Sequence, residues 1–452
     1  MLDQFEPMKE AVLASLMADS TLGIVPAIRD TEASLSEGKL RGAAKRFDTA
    51  FRLLDQRRSL IWMESHGTTA FTGGWAVVDR MTMLKLAEGR VSEALDYMDR
   101  GQVSLAPFGI GSDWAPDSRM PMRSGEVAVE YAMVADTLLV WTIAARDIGL
   151  FRTVIDTVQF ARTLADLEEK LERRAGEAEV RLALSELYDR LVRPVEARLG
   201  RPGTPMTVIT DDDLAEVPFP ALLDSRRKRY LIEDHQLRFA PSLRGAKPRP
   251  AAMPADGVLL VADPAFDWRE HPRLERLAYA REEVRSIAGE YPSKLVLEGT
   301  VATRPALESA LARAGMIHFS GHAVFDETRP ERSYLVLAPA PGKAGSGKIT
   351  AAELAKLDLR HVRLVVLAGC QTAPFTGLSG GFLAAGVGGT VGSTWDVDDR
   401  FTAALMTGFH RQYRGSRDGP QALRAAQLAL LHSDDPELRT PAAWAGFRYA
   451  GR

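Results

Sequence analysis

The spacing of apolar positions along the chain changes twice. Up to about residue 106 they recur at helical intervals, with few runs of β-formers. Two segments there resemble each other, "SEGKLRGAAKRFDTA" from Ser36 and "AEGRVSEALDYMDRG" from Ala87. Aligned, they set Gly38 on Gly89, Ala43 on Ala94 and Phe47 on Met98. In helical-hairpin repeats a small residue at such a place lets two helices approach, and the aromatic or Met fills the groove between them. The second copy looks like a tetratricopeptide repeat, but the offset is longer than the usual ~34 residues. Residues 1–106 are therefore expected to form a short or irregular array, with an ordinary helical bundle as the alternative.

Pro107 to Gly125 reads as a loop, and after it the period shortens. "EVAVEYAMVADTLLVWTI" alternates and then runs apolar, as paired strands do. Helical spacing returns over 153–199, "MTVIT" is a short strand, and Pro241 to Asp256 reads as an internal linker. From Gly257 strands and helices alternate. "GVLLVAD", "KLVLEG", "MIHFSG", "RLVVLAG" and "GGTVGST" are strands. "LERLAYAREEVRSIA", "RPALESALARA", "SGGFLAAG" and two stretches near 399–414 and 419–432 are helices. That rhythm predicts an α/β fold, a mostly parallel sheet with helices on both faces. In such sheets sites form beyond the carboxyl ends of the strands. The expected divisions are 1–106, 122–245 and 257–452.

Composition narrows the function. Lys and Arg total 57 against 60 Asp and Glu, a net charge of −3, which makes no electrostatic case for direct contact with nucleic acid or an anionic membrane. The longest apolar stretch, Val127 to Ile143, is broken by Glu130 and Asp136, and the acidic N-terminus does not read as a secretory signal. A cytoplasmic protein without a membrane partner is expected. The single cysteine, Cys370, excludes an internal disulfide and a multi-cysteine metal site.

Cys370 ends "RLVVLAGC", and "MIHFSGHA" supplies His318 and His322. A free thiol titrates near 8.5, and an imidazole at the same sheet edge is the usual means of taking its proton. His322 follows "SG" in a loop, free to reach a substrate, and lies about 50 residues before Cys370, a spacing compatible with that of caspases. His318 shares a strand face with Met316 and is read as packed or hydrogen-bonded there. Position 319 between the histidines is Phe in a strand, not the Glu of a helical zinc motif, so no metal is expected. "GKAGSGK", Gly342 to Lys348, begins like a phosphate loop, but Ile349 stands where Ser or Thr must bind Mg²⁺, and "TAAE" from Thr350 reads as a capping box. No cofactor is expected. "RRKR" at Arg226 to Arg229 and "DDD" at Asp211 to Asp213 read as a solvated loop and a turn.

"HFSGHA", "SYLVLAP", "GKITAAEL", "LVVLAGCQTA" and "GGTVGSTWDVDD", in this order, resemble the CHAT family, caspase-like cysteine peptidases related to separase and often joined to tetratricopeptide repeats. The likeness runs on to "AAWAGFRYAG" and back through "EVPFPALLD" and "LYDRLVRPV", over roughly 122–452. It implies a pseudo-caspase-like half at 122–245 and a catalytic half at 257–452. It makes His322 the general base and Cys370 the nucleophile, with an oxyanion hole from the backbone N–H groups of Cys370 and Ala323. The family usually has glycine where this chain has Ala323, whose Cβ restricts φ. No third catalytic residue follows from the likeness. "STWDVDD" resembles a separase stretch whose acid lines the pocket for the residue before the scissile bond, which implies Asp396 and Asp398 in that role and a preference for Arg or Lys. The alternative is a solvated turn in which Asp399 caps the next helix. The implied partners are a dedicated protein substrate and a regulatory protein on the helical region, in bacterial defence or other regulated proteolysis. The competing expectation is an inactive scaffold, against which the retention of both His322 and Cys370 speaks.

Overall fold

The computed structural model describes residues 67–105 and 125–451 apart from 146, 212–213, 245–255 and 341–346, together with Thr31, 42–49, Arg52 and Phe108. Met1–Arg119 and Met120–Arg452 are two compact units.

In the first unit α1 (Gly67–Ala87) and α2 (Val91–Leu105) form a helical hairpin. Gly89 turns the chain between them at a φ of +73°, a left-handed conformation that costs glycine nothing. A Cβ on Gly101 would lie 2.8 Å from both methyls of Val78, so glycine is what lets the helices come close. Ala43, Phe47, Ala94 and Met98 are all buried, and Phe47 meets Tyr97 edge-on at 4.7 Å. The small and large positions shared by the two similar segments are thus core positions. Gly38 lies outside the described residues.

The second unit begins with β1 (Val127–Val134), β2 (Thr137–Ala144), β3 (Asp147–Val154) and β4 (Pro205–Thr210). A short ribbon of β5 (Leu223–Asp224) and β6 (Arg229–Tyr230) precedes β7 (Gln236–Phe239). Next come β8 (Gly257–Ala262), β9 (Lys294–Glu298) and β10 (Ala314–Ser320), and a small sheet of β11 (Ala323–Val324), β12 (Tyr334–Val336) and β13 (Lys348–Thr350). The chain ends with β14 (Leu364–Ala368), β15 (Gly389–Ser393) and β16 (Phe447–Gly451). Eleven strands make one sheet in the order β3-β2-β1-β4-β7-β16-β15-β14-β10-β8-β9. Neighbours are parallel except in β1–β2, β2–β3 and β15–β16. The sheet does not stop at the linker region, because β16 pairs with β7 on one side and β15 on the other.

Helices flank the sheet: α3 (Thr157–Glu172), α4 (Glu177–Leu191), the single turn α5 (Leu231–Asp234), α6 (Ala280–Gly289), α7 (Arg304–Leu311), the single turn α8 (Ala351–Leu354), α9 (Leu378–Ala384), α10 (Asp399–Ser416), α11 (Gly419–Leu431) and the single turn α12 (Pro441–Trp444). Covered on both faces, β10 and β14 are buried at every residue, which is why "LVVLA" reads as an unbroken apolar run and "MIHF" is broken only by His318. α3 starts where Asp156 accepts the Gln159 N–H, and it buries Phe160, Leu164, Leu167 and Leu171 at helical spacing.

Two expectations change. The helical stretch at 153–199 is two helices and a 3₁₀ segment, Arg193–Arg198, preceded by a third strand that runs to Val154. Pro241 to Asp256 does not begin as a linker: Ser242, Leu243 and Arg244 are buried, and 245–255 lie outside the described residues. The capping box at Thr350 is present, with the Glu353 N–H donating to Thr350 Oγ1 at 3.2 Å and the Thr350 N–H to Glu353 Oε2 at 2.9 Å. Of the phosphate-loop stretch, 342–346 lie outside the described residues, as do Asp212 and Asp213 of "DDD".

Candidate active site

β10 and β14 are adjacent and parallel, with Ser320 opposite Ala368. The chain therefore leaves both strands at the same rung, and two residues further stand His322 and Cys370. The loops touch at the intervening glycines. A Cβ on Gly369 would sit 2.6 Å from the Gly321 carbonyl oxygen, closer than any real contact. Gly369→Ala is thus expected to push the histidine loop away. Overpacking of this kind costs about 1–3 kcal/mol, and the check is a chemical denaturation curve.

His322 is held by its back. Its Nε2 lies 2.6 Å from the Glu275 carbonyl oxygen, which can only accept, so Nε2 carries the proton and Nδ1 is left as the acceptor. Phe266 packs edge-on against the ring at 5.4 Å. A carbonyl oxygen has no side-chain signature, so no sequence pattern could have pointed to Glu275. Val336 donates to the His322 carbonyl, which makes His322 and Val336 the hydrogen-bonded pair and Ala323 and Leu335 the open one. The Ala323 N–H is thereby directed away from β12. Ala323 has no positive φ, so its Cβ is tolerated where the family usually has glycine.

The cysteine loop is tightly bent. Gln371, directly after Cys370, has φ +49°, a left-handed conformation rare for a side-chain-bearing residue and often found at functional sites. Buried hydroxyls hold it. Thr372 Oγ1 donates to the Leu367 carbonyl at 3.1 Å, Ser393 Oγ to the Gly369 carbonyl at 2.6 Å, and Ser379 Oγ to the Thr372 carbonyl at 2.7 Å. Cys370 itself is half-buried. Asp396 and the Val397 N–H are the polar groups that bear most on its sulfur. Burial first, and then the Asp396 charge, push the thiol up to about 12. At rest this is a neutral thiol.

Asp396 does not stand alone. Its N–H approaches Glu172 Oε1 at 3.4 Å. Nearby Glu168, one helical turn earlier on α3, is pushed up to about 7, by burial first and then by the charges of Glu216, Glu172, Asp396 and Glu327. Asp396 and Glu172 act on the cysteine, and the charges of Glu216 and Glu327 join theirs at Glu168. Among the described residues, none of them is in an ion pair. Glu168 and Glu172 come from more than two hundred positions upstream of Asp396, so nothing local in the sequence joins them to the cysteine. Asp398, paired with Asp396 in the sequence reading, is engaged elsewhere. It caps α10 by accepting the Phe401 N–H at 3.1 Å, and it pairs with Arg174 at 2.8 Å. The cap is therefore Asp398 and not Asp399, whose carboxylate accepts the Tyr279 N–H at 2.6 Å. His318 is fully buried beneath the loops.

Tetratricopeptide repeat protein 28 of Homo sapiens and that of Mus musculus are each 25% identical to this chain, over 59% of its length. The chain spans 13% of the length of these curated relatives. Two crystal structures of the Saccharomyces cerevisiae separase–securin complex match with TM-scores of 0.57 and 0.52 at 10% identity, covering 90% and 99% of this chain and 37% and 40% of theirs. That likeness is one of fold, a mostly parallel sheet flanked by helices. The family model of the CHAT domain matches residues 181–452, which hold β4 to β16, His322 and Cys370, while β1 to β3 and α3 precede the match and belong to the same compact unit. The chain belongs to the CHAT domain family.

Proposed function

We propose that the chain is a cysteine endopeptidase that cuts a dedicated protein substrate after a basic residue, in bacterial defence or another regulated proteolysis. The observation that carries this reading is the meeting of the His322 and Cys370 loops at one rung of the sheet, with the histidine's tautomer set by the Glu275 carbonyl. His322 Nδ1 takes the Cys370 proton and the sulfur attacks the scissile carbonyl carbon. The N–H groups of Ala323 and Cys370 receive the oxyanion. His322 returns the proton to the leaving amine. Water, deprotonated by His322, then cleaves the thioester, releasing the acid and restoring the thiol. Asp396, with Glu168 and Glu172 behind it, takes the basic side chain, while Asp398 serves the helix cap. A fluorogenic peptide library is the test. Cleavage after Arg and Lys supports the reading, and cleavage after neutral or acidic residues alone sinks the pocket.

The helical region, residues 1–106, is the part that would bind a regulatory protein or the substrate, as helical repeats do. Its deletion is expected to leave the turnover of a short peptide unchanged and to slow that of a folded substrate. Equal rates on both in a folded truncate would remove the recognition role. A scaffold without activity is the second reading, favoured by the thiol that burial and the Asp396 charge keep neutral. An arginyl acyloxymethyl ketone separates the two: a peptidase is alkylated at Cys370 and a scaffold is not.

A further inference from the structure

Below the two loops a line of polar side chains crosses the core and takes no part in the chemistry above. Glu283 on α6, His318 and Ser320 on β10, Tyr291 just after α6 and His410 on α10 are each 4% exposed or less. Ser320 Oγ donates to Glu283 Oε2 at 3.3 Å. His318 Nε2 lies 2.7 Å from Glu283 Oε1, at ion-pair distance and out of line for a well-formed hydrogen bond. On its other side His318 Nδ1 is 3.0 Å from His410 Nε2, and His410 Nδ1 is 2.9 Å from Tyr291 Oη.

The protons can be assigned. Burial, and then His318, hold His410 well below the usual imidazole range, and burial pushes the Tyr291 phenol up, so both are neutral. One arrangement uses every donor. Tyr291 O–H donates to His410 Nδ1, His410 Nε2–H to His318 Nδ1, and His318 Nε2–H faces Glu283, which also takes the Ser320 hydroxyl. The carboxylate is the common acceptor on which the line ends.

Stability alone does not explain such a line, because apolar side chains of the same shape often serve a core equally well or better. Its ends suggest what it does. Ser320 is the last residue of β10, two before His322. The Ser320 carbonyl accepts the Asp263 N–H at 2.9 Å, and Asp263 accepts Arg281 Nε at 2.9 Å. Helix α6 thus grips the end of β10 through both Arg281 and Glu283. His410 stands on α10, the helix that follows directly on Asp396 and Val397.

Resting on the peptidase reading above, we infer that Glu283 and His318 are positioning residues: by tying β10 to α6 and α10 they hold His322 at its working offset from the Cys370 sulfur. The test uses the full-length protein with Glu283→Gln, which keeps the shape and removes the charge, and Ser320→Ala, which cuts the link nearest His322. Turnover of an acetyl-peptidyl-Arg aminomethylcoumarin is measured per active site titrated with the arginyl ketone. A misplacement of the order of 1 Å costs about a hundredfold in rate. Both variants are therefore expected to lose about ten- to a hundredfold in kcat with KM within about twofold. A lower melting temperature with unchanged kcat per titrated site overturns the proposal, since that is what a purely structural line would give. If the unaltered protein cleaves no peptide, the peptidase reading has failed, and histidine side-chain ¹⁵N NMR decides this one independently. A His322 Nε2–H resonance that is sharp in the parent and broadened in the variants supports positioning, and one that is sharp in all three overturns it. Should Glu283→Gln not fold, Ser320→Ala carries both measurements.

Discussion

Cys370→Ala is expected to remove peptide cleavage altogether while leaving the fold in place. Loss of a nucleophile that acts together with its base typically lowers kcat by roughly 10⁴-fold or more. The structural cost is small, because the side chain is half-buried and alanine keeps its Cβ. Asp396, whose charge bears on the sulfur, is exposed and stays hydrated. Stability should stay within about 1 kcal/mol, measured by denaturant titration. His322→Ala should be nearly as inactive and as well folded. His318→Ala should add a loss of stability to its loss of rate. It leaves Glu283 without its imidazole in a fully buried place, and breaking a buried pair of this sort costs about 3–5 kcal/mol. A Cys370→Ala protein that still cuts its substrate would end the assignment of the nucleophile.

The elements around His322 and Cys370 were legible because they are buried on both faces or strongly periodic. β8, β10 and β14 read as strands from their apolar runs, and α10 and α11 as helices from their spacing. β3 was not, since "DIGLFRTV" has no buried residue at the edge of the sheet and lacks an apolar alternation. β7 and β16 are four and five residues long, and their place in the sheet is set by pairings distant in sequence. In the site, His322 and Cys370 stood out because strand-to-loop transitions mark the carboxyl edge of a parallel sheet. Glu168 and Glu172 carried no such mark, for on α3 they look like any solvated acids beside its buried Leu164, Leu167 and Leu171. The capping residue was misread by one position because Asp398 and Asp399 are chemically equal as caps, and only the turn geometry chooses between them.

Asp396→Asn is expected to move two rates in opposite directions. In the parent the Asp396 charge, after burial, keeps the Cys370 thiol up at about 12, so alkylation by iodoacetamide should rise with pH across the whole range from 6 to 10 without a plateau. Asparagine keeps the shape and removes the charge. The thiol then ionises at lower pH, and at any fixed pH below its midpoint more thiolate is present. Each thiolate is somewhat less nucleophilic as its pKa falls, which takes back about half of the gain on a logarithmic scale. Alkylation at pH 7.5 should therefore be faster than in the parent. Cleavage after arginine should go the other way. A guanidinium that has lost a charge-assisted bond to a carboxylate forfeits about 1.5–3 kcal/mol, about ten- to a hundredfold in the rate ratio of an Arg peptide to its citrulline counterpart. Lysine should lose less than arginine, because a single ammonium makes no bidentate pair. A folded Asn variant that is alkylated faster but keeps its arginine preference would separate the two roles and move the pocket to Glu168 or Glu172. One that is alkylated no faster would mean that burial alone keeps the thiol neutral.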